Sequence, residues 1–220
     1  MMRQFEGELD DLKKQLLSMG KLVETMIHNA IRSILDRNEN LRKDVFAHED
    51  EVNRNQVEID DHCITMIALR QPAAVDLRFI TSAMKINSDL ERMGDQAVNI
   101  AEHNAKSTES VSQPMLEQVT HMSEKVKKMV RDSLDAFVKK DIRLAEAVLA
   151  SDDEVDSSKD DITRKLTDCM KGNPESISHS LEILLIARNL ERIGDHATNI
   201  AEDVIYMVKG KDIRHHMYDR

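Results

Sequence analysis

Acidic side chains recur at four-residue spacing in two copies of one motif, and these residues are the best suited to chemistry in the chain. Residues 90–102 read LERMGDQAVNIAE and residues 190–202 read LERIGDHATNIAE, which are identical at ten of thirteen positions. The recurring polar set comprises Glu91, Arg92, Asp95, Asn99 and Glu102 in the first copy, and Glu191, Arg192, Asp195, Asn199 and Glu202 in the second. A repeat that served core packing alone would need to keep only its apolar positions.

Helical geometry places the acidic residues of each copy on one side of a helix. At about 100° per residue, the carboxylates and the asparagine of one copy lie within about 80° of one another. The apolar stripe of the same helix points roughly the opposite way, and it comprises Ile86, Leu90, Met93, Ala97 and Ile100. We therefore expect the carboxylates to lie at or near the surface.

A second pair of matching segments adds acidic residues to each half. Residues 49–53 read EDEVN and residues 152–156 read DDEVD. They supply Glu49 and Asn53, followed by Gln56 and Asp60, in the first half, and Asp152 and Asp156 in the second. If neighbouring helices bring these faces to the repeated motifs, several carboxylates converge in each half.

Converging carboxylates can be read in two ways. They repel one another unless a cation lies between them, and an all-oxygen ligand set suits Mg, Ca, Mn or iron better than copper or zinc. Alternatively, they form a solvated face that pairs locally with Arg92 or Arg192, and each such pair contributes little stability. Spacing alone leaves both interpretations open. Because Gln96 stands where the second copy has His196, the two halves share no histidine ligand, and we expect His196 to be an isolated surface residue.

Composition and missing motifs argue against several classes of protein. A net charge of −10 disfavours binding to nucleic acid. The chain has no GxGxxG, P-loop or nucleophile-elbow motif and no Glu-x-x-His pair, so we expect no catalysis. No apolar run approaches the roughly 20 residues of a membrane span, and we expect a cytoplasmic protein. Cys63 and Cys169 lack metal-ligand spacing and are expected to be buried thiols.

Apolar periodicity predicts an all-α fold of six helices. The predicted helices cover residues 5–37, 41–69, 74–104, 115–139, 142–170 and 175–208. The Ser- and Thr-rich residues 107–114 form the one clear linker. We expect two tandem repeated three-helix bundles, up-down-up twice and packed side by side, because each half alone is short of core. The first covers residues 1–106 and the second residues 115–210, and residues 211–220 form a tail.

These motifs together resemble the PhoU family. The matching segments are the two repeats, the turn RQPAAVDLR at residues 70–78, the DDEVD element and the ending VIYMVKGKDIRH, so the resemblance covers essentially the full length. It implies a tandem pair of three-helix bundles, a cytoplasmic location and a homodimer.

The resemblance also implies a function without catalysis. Such a protein would be a negative regulator of phosphate uptake and of the phosphate-starvation response. It would link the phosphate ABC transporter, through the ATPase subunit, to the sensor histidine kinase of the phosphate regulon, and it would reach the membrane only through these partners. The alternative is a metal-binding carboxylate bundle without a signalling partner.

Some members of this family bind iron or other metals through E(D)xxxD motifs, which map here onto Glu91 with Asp95, Glu191 with Asp195, and Asp152 with Asp156, with Glu102 and Glu202 nearby. The fourth pair departs from the pattern, because Glu49 is followed by Asn53 where a carboxylate is expected. An amide oxygen is neutral, so the second half is the better metal candidate. The ion would be iron or another such as Mg, Mn, Ca or Zn, and regulation itself would require none.

Overall fold

The computed structural model describes residues 2–103 and 113–211. Within them it has six α-helices: α1 Met2–Leu35, α2 Glu39–Arg70, α3 Ala74–Glu102, α4 Gln113–Lys139, α5 Ile142–Gly172 and α6 Ile177–Lys209, with a short 3-10 turn at Pro174–Ser176. The predicted all-α fold is confirmed. Most of the linker predicted at residues 107–114 and of the tail predicted at residues 211–220 lies outside the described residues. The last two linker positions, 113 and 114, belong instead to the first turn of α4.

Local side chains fix where the helices begin and end. The side chain of Asn38 accepts a hydrogen bond from the backbone N–H of Asn40 at the start of α2. Asp141 does the same for two backbone N–H groups at the start of α5. Such caps satisfy donors that have no partner within the helix. Helix α2 ends where Gln71 adopts a left-handed conformation, with φ of 46°, immediately before Pro72.

The apolar stripes of the helices meet in one continuous core. The apolar stripe of α1 is buried over most of its length, from Leu12 to Ile34. On α3 and α6 the buried positions correspond one to one across the repeat, with Ile86, Leu90, Met93, Ala97 and Ile100 matched by Ile186, Leu190, Ile193, Ala197 and Ile200. The expectation that the two bundles pack together is therefore confirmed.

The two bundles meet along α3 and α6, while α1 packs against α4 beside them. Polar contacts show that α3 and α6 run antiparallel. Lys85 Nζ lies 2.9 Å from Asp203 Oδ1, and further along the interface Asp89 meets the earlier part of α6 at His196. Helix α2 packs against α1 and α3, and α5 packs against α4 and α6. No helix in the described ranges is both long and apolar enough to cross a membrane.

Replacing two glycines of α1 by alanine should have opposite effects on stability. A Cβ atom at Gly20 would lie 2.0 Å from Leu134 Cδ1 of α4, whereas a Cβ atom at Gly7 would meet nothing within 4 Å. Alanine favours a helix interior over glycine by about 1 kcal/mol, and overpacking a core costs about 1–3 kcal/mol. We expect Gly7→Ala to raise the free energy of unfolding and Gly20→Ala to lower it, measured by urea denaturation. Equal gains in both variants would contradict the close packing of α1 on α4.

Candidate functional site

Small residues in the repeated motif allow the acidic faces of neighbouring helices to meet. Gly94 and Gly194 are buried on α3 and α6. A Cβ atom at Gly94 would lie 3.5 Å from a methyl carbon of Val52 on α2, and one at Gly194 would lie 3.8 Å from Asp152 Oδ1 on α5. The carboxylate of Asp152 therefore lies directly over the backbone of α6, close to Asp195. Sequence spacing suggested this convergence, and the packing of α5 on α6 produces it.

The first acidic cluster lies between α2 and α3. Burial raises the pKa of Glu49, and the charges of Asp95 and, more weakly, Glu102 raise this pKa further. Burial likewise raises the pKa of Glu91, with a further contribution from Asp95 and a small one from Glu49. Asn53, the neutral residue of this half, is exposed. Four carboxylates thus share one surface, and the negative charge there disfavours ionisation of Glu49 and Glu91.

The second acidic cluster lies between α5 and α6. Burial raises the pKa of Asp152 to about 6, and the charges of Asp195 and Asp156 add to this effect. The pKa of Asp195 is also raised, first by burial and then by the charge of Glu191. A carboxyl group with a pKa near 6 binds protons close to neutral pH, and here burial is the main cause and neighbouring negative charge the second.

A lysine that the sequence analysis overlooked lies within the second cluster. Lys159 Nζ is 3.1 Å from Glu191 Oε1 and 3.9 Å from Asp156 Oδ1. Its hydrogen bond to Glu191 raises the pKa of Lys159. The sequence contained a sign of this contact. At the offset of 103 residues that relates the two halves, Asp156 corresponds to Asn53 and Lys159 corresponds to Gln56. The second half therefore replaces an Asn and Gln pair with an Asp and Lys pair.

The predicted surface position of the acidic residues is confirmed. The exposed side chains are those of Asn53, Asp95, Glu102 and Asp195, and the half-buried ones are those of Glu49, Glu91, Asp152, Asp156, Glu191 and Glu202. The pairing suggested for Arg92 and Arg192 is not observed, since neither forms an ion pair with the described residues. Lys159 provides the ionic contact in the second half instead.

Two single-residue predictions were wrong. His196 is half-buried, and its Nδ1 lies 2.8 Å from Oδ1 of the buried Asp89 at the contact between the bundles. Asn199 donates a longer hydrogen bond, of 3.4 Å, to the same oxygen. Asp89 is buried and ionisable, so it requires such partners. Cys169 is exposed rather than buried, because it lies on the outer side of α5 near its end, whereas Cys63 is buried as predicted.

The acidic clusters are not assembled as a closed metal cage. Among the described residues, no three His, Cys, Asp or Glu side chains are arranged so that they could hold one metal ion. The oxygen atoms are of the kind that hard cations prefer, but the side chains would have to move together to bind one. In the second cluster they would also have to displace Lys159.

The fold and the repeated acidic faces define a class of protein, namely a duplicated three-helix bundle with matching carboxylate surfaces. The PhoU domain family model matches the chain twice, at residues 16–103 and 119–204. The chain belongs to the PhoU family, as its sequence motifs indicated.

Similar proteins match over nearly the whole chain. A PhoU homolog of the phosphate-specific transport system from Pseudomonas aeruginosa is 42% identical over 97% of this chain and 88% of its own length. The PhoU accessory protein of Escherichia coli is 36% identical over 96% of this chain and 88% of its own. The crystal structure of PhoU from P. aeruginosa superposes with a TM-score of 0.88 at 41% identity, covering 94% of this chain and all of the other. The PhoU structure from Streptococcus pneumoniae gives 0.87 at 28% identity, covering 95% and 99%.

The raised pKa of Asp152 predicts how stability depends on pH. Because the folded-state pKa of about 6 lies above the ordinary value of 3.8 for an aspartate, folding is favoured when this carboxyl is protonated. Its contribution is lost as the pH rises through about 6. We expect Asp152→Asn to raise the free energy of unfolding near neutral pH by on the order of 1 kcal/mol, after allowance for solvent screening. The gain should shrink below about pH 4.

Urea denaturation across this pH range measures the effect. Asp44→Asn is the matched control, because Asp44 is exposed on α2 and lies outside both acidic clusters. We expect it to change the pH dependence little. A gain from Asp152→Asn that is the same at low and high pH would contradict the assignment of the raised pKa to this residue.

Proposed function

We propose that this protein is a cytoplasmic negative regulator of phosphate uptake and of the phosphate-starvation response. It acts as an adaptor between the phosphate ABC transporter, through its ATPase subunit, and the sensor histidine kinase. The observation that carries the proposal is the match of the family to both halves of the chain. The relatives' names as accessory proteins of the phosphate-specific transport system support the same role.

An adaptor of this kind works by differential binding. If it binds one state of the transporter more tightly than another, the state of the transporter changes how much adaptor is available to the kinase. The required features are stable surfaces rather than a catalytic centre. A rigid helical bundle with a large charged exterior meets this requirement, and it acts as a homodimer in this proposal.

Binding to both partners tests the adaptor role. We expect saturable binding of this protein to the cytoplasmic part of the sensor kinase and to the ATPase subunit, measured by biolayer interferometry. The double variant Glu191→Ala/Asp195→Ala should still bind, because an adaptor does not need a metal to hold its partners. Absence of binding to both partners would refute the proposal.

The chain offers a matched control for this experiment. Glu6 and Asp10 on α1 are exposed and have the same four-residue spacing as Glu191 and Asp195, but they lie outside both acidic clusters. If Glu191→Ala/Asp195→Ala weakens binding and Glu6→Ala/Asp10→Ala does not, the acidic face itself forms part of the contact. Equal binding by both variants would assign the contact to another surface.

The second candidate function is cation binding at the acidic clusters. The observation in its favour is that carboxyl groups in both halves have a raised pKa, caused first by burial and then by the charges of neighbouring carboxylates. A bound cation would relieve the second of these causes. The candidate ligands are Asp152, Asp156, Glu191 and Asp195 with Glu202 in the second half, and Glu49, Asn53, Glu91, Asp95 and Glu102 in the first. The first half has four carboxylates among these candidates, together with the neutral Gln56. The second half has five carboxylates, together with the ammonium group of Lys159. The formal charge of the two clusters is therefore the same.

Lys159 provides the test of this candidate. We expect Lys159→Gln to strengthen Mn²⁺ binding by about tenfold, because a competing ammonium is removed from the second cluster. Isothermal titration calorimetry with Mn²⁺ measures the change. Lys171→Gln is the control, because this substitution removes the same charge. Lys171 is exposed and pairs with Asp168 outside the cluster. No saturable Mn²⁺ binding by Lys159→Gln would refute the cation site.

A further inference from the structure

The outer face of α2 carries apolar side chains that the matching face of α5 lacks. We define this face by the exposed residues Asp50, Arg54, Val57, Glu58, Asp61, Ile64 and Ala68. Val57 and Ile64 are 60% and 55% exposed. They lie seven residues apart. Asp61 lies between them and Ala68 follows them, so that successive positions are separated by four, three and four residues. This is the spacing with which one helix packs lengthwise on another.

The duplication supplies an internal comparison for this face. Helices α2 and α5 correspond at an offset of 103 residues, as their buried positions show, with Val45, Val52, Ile59 and Cys63 matching Val148, Val155, Ile162 and Leu166. At the same offset α5 has Asp160, Thr167 and Lys171 where α2 has Val57, Ile64 and Ala68. Both helices pack on their own bundle through these matching positions, although Met66 on α2 is buried and the corresponding Cys169 on α5 is exposed. The apolar residues on α2 are therefore not required by the fold.

Charge pairing on the two faces differs as well. On α5, Arg164 pairs with Asp161 at 2.7 Å and Lys171 pairs with Asp168 at 3.3 Å. The α2 positions that match Asp161 and Arg164 are both acidic, Glu58 and Asp61. Neither forms an ion pair within the described residues, and like charges three residues apart destabilise a helix slightly.

We propose that the outer face of α2 binds a basic amphipathic helix of a partner protein. The apolar side of that helix would cover Val57, Ile64 and Ala68, and its Lys or Arg residues would pair with Glu58 and Asp61. A partner of this charge also fits the net charge of −10, which attracts basic segments, whereas Glu58 and Asp61 would repel the same face of a second copy. The inference rests on the proposed adaptor function for the identity of the partner, and it specifies the surface and chemistry of the contact.

A synthetic helix tests the chemistry independently of the adaptor role. The probe is a fluorescent amphipathic peptide of leucine and lysine, titrated with the full-length protein and followed by anisotropy. We expect saturable binding that weakens about tenfold or more in Val57→Asp/Ile64→Thr, which carries the residues that α5 has at these positions. Unchanged circular dichroism and unfolding midpoint would show that the variant is folded. Equal binding by parent and variant would refute the proposal, even if the kinase and the ATPase subunit bind.

Charge variants separate a defined site from general attraction to an acidic protein. We expect Glu58→Gln/Asp61→Asn to weaken peptide binding several-fold. Asp160→Asn/Asp161→Asn on α5 changes the net charge equally and should leave binding nearly unchanged. An equal loss in both variants would refute a site on α2. A leucine and glutamate peptide should not bind, and binding of that peptide with equal affinity would also refute the proposal.

Two further measurements examine other occupants of the face. If Val57→Asp/Ile64→Thr converts a dimer to a monomer in sedimentation experiments, the face joins two copies of this chain and the proposal is overturned. If the same variant abolishes binding to vesicles of phosphatidylcholine and phosphatidylglycerol, the occupant is a lipid surface, and the proposal is again overturned. We expect neither result. If the adaptor is correct, the same variant should weaken binding to one of its two partners while the acidic-cluster variants do not.

Discussion

The antiparallel packing of α3 on α6 is the contact on which the rest of the molecule depends. Each helix carries a buried apolar stripe, and the two stripes correspond position by position, from Ile86 and Ile186 to Ile100 and Ile200. The contact between the two helices also includes the polar side chains of Lys85, Asp89 and Asp203. Fully burying such a side chain contributes roughly 1.5–3 kcal/mol, and α3 and α6 join the buried residues of both bundles in one continuous core. The same helices carry the acidic motifs on their opposite sides. The packing that joins the halves therefore also fixes which way both acidic faces point.

Polar contacts fix the register of α3 on α6. Asp89 is buried and accepts hydrogen bonds from α6, and Lys85 reaches the buried Asp203. Moving one helix along the other by a single turn would break these contacts to buried carboxylates, at a cost that apolar contacts alone would not impose. The matching position to Asp89 in the second half is Asn189, which instead donates to the backbone of its own helix. The polar contacts are therefore less symmetric than the apolar ones.

The sequence predicts the helices well because their causes are local. Heptad spacing, Pro72 and the capping residues all act within a few positions, and the predicted ends lie within three residues of those observed. The residues that were missed depend on contacts between helices. The sequence around Lys159 is that of an ordinary surface lysine, and only the packing of α5 on α6 brings it to Glu191. The sequence likewise indicated an exposed His196, but the packing of α3 on α6 brings it to Asp89. Periodicity gives the side of a helix on which a residue lies, but not the charge that faces it from another helix.

Duplication makes it possible to separate folding requirements from other requirements in this chain. Where the two halves agree, as at Gly94 and Gly194 or at the buried stripes, a shared packing need is sufficient to explain the residues. Where they differ on equivalent exposed surfaces, as at Val57 and Asp160, packing within the bundle does not require the difference, because the neighbouring buried positions match. The outer face of α2 combines exposed apolar side chains with adjacent acidic residues, and both features are unfavourable in water when nothing covers them. The matching face of α5 shows that the fold can be built without either feature.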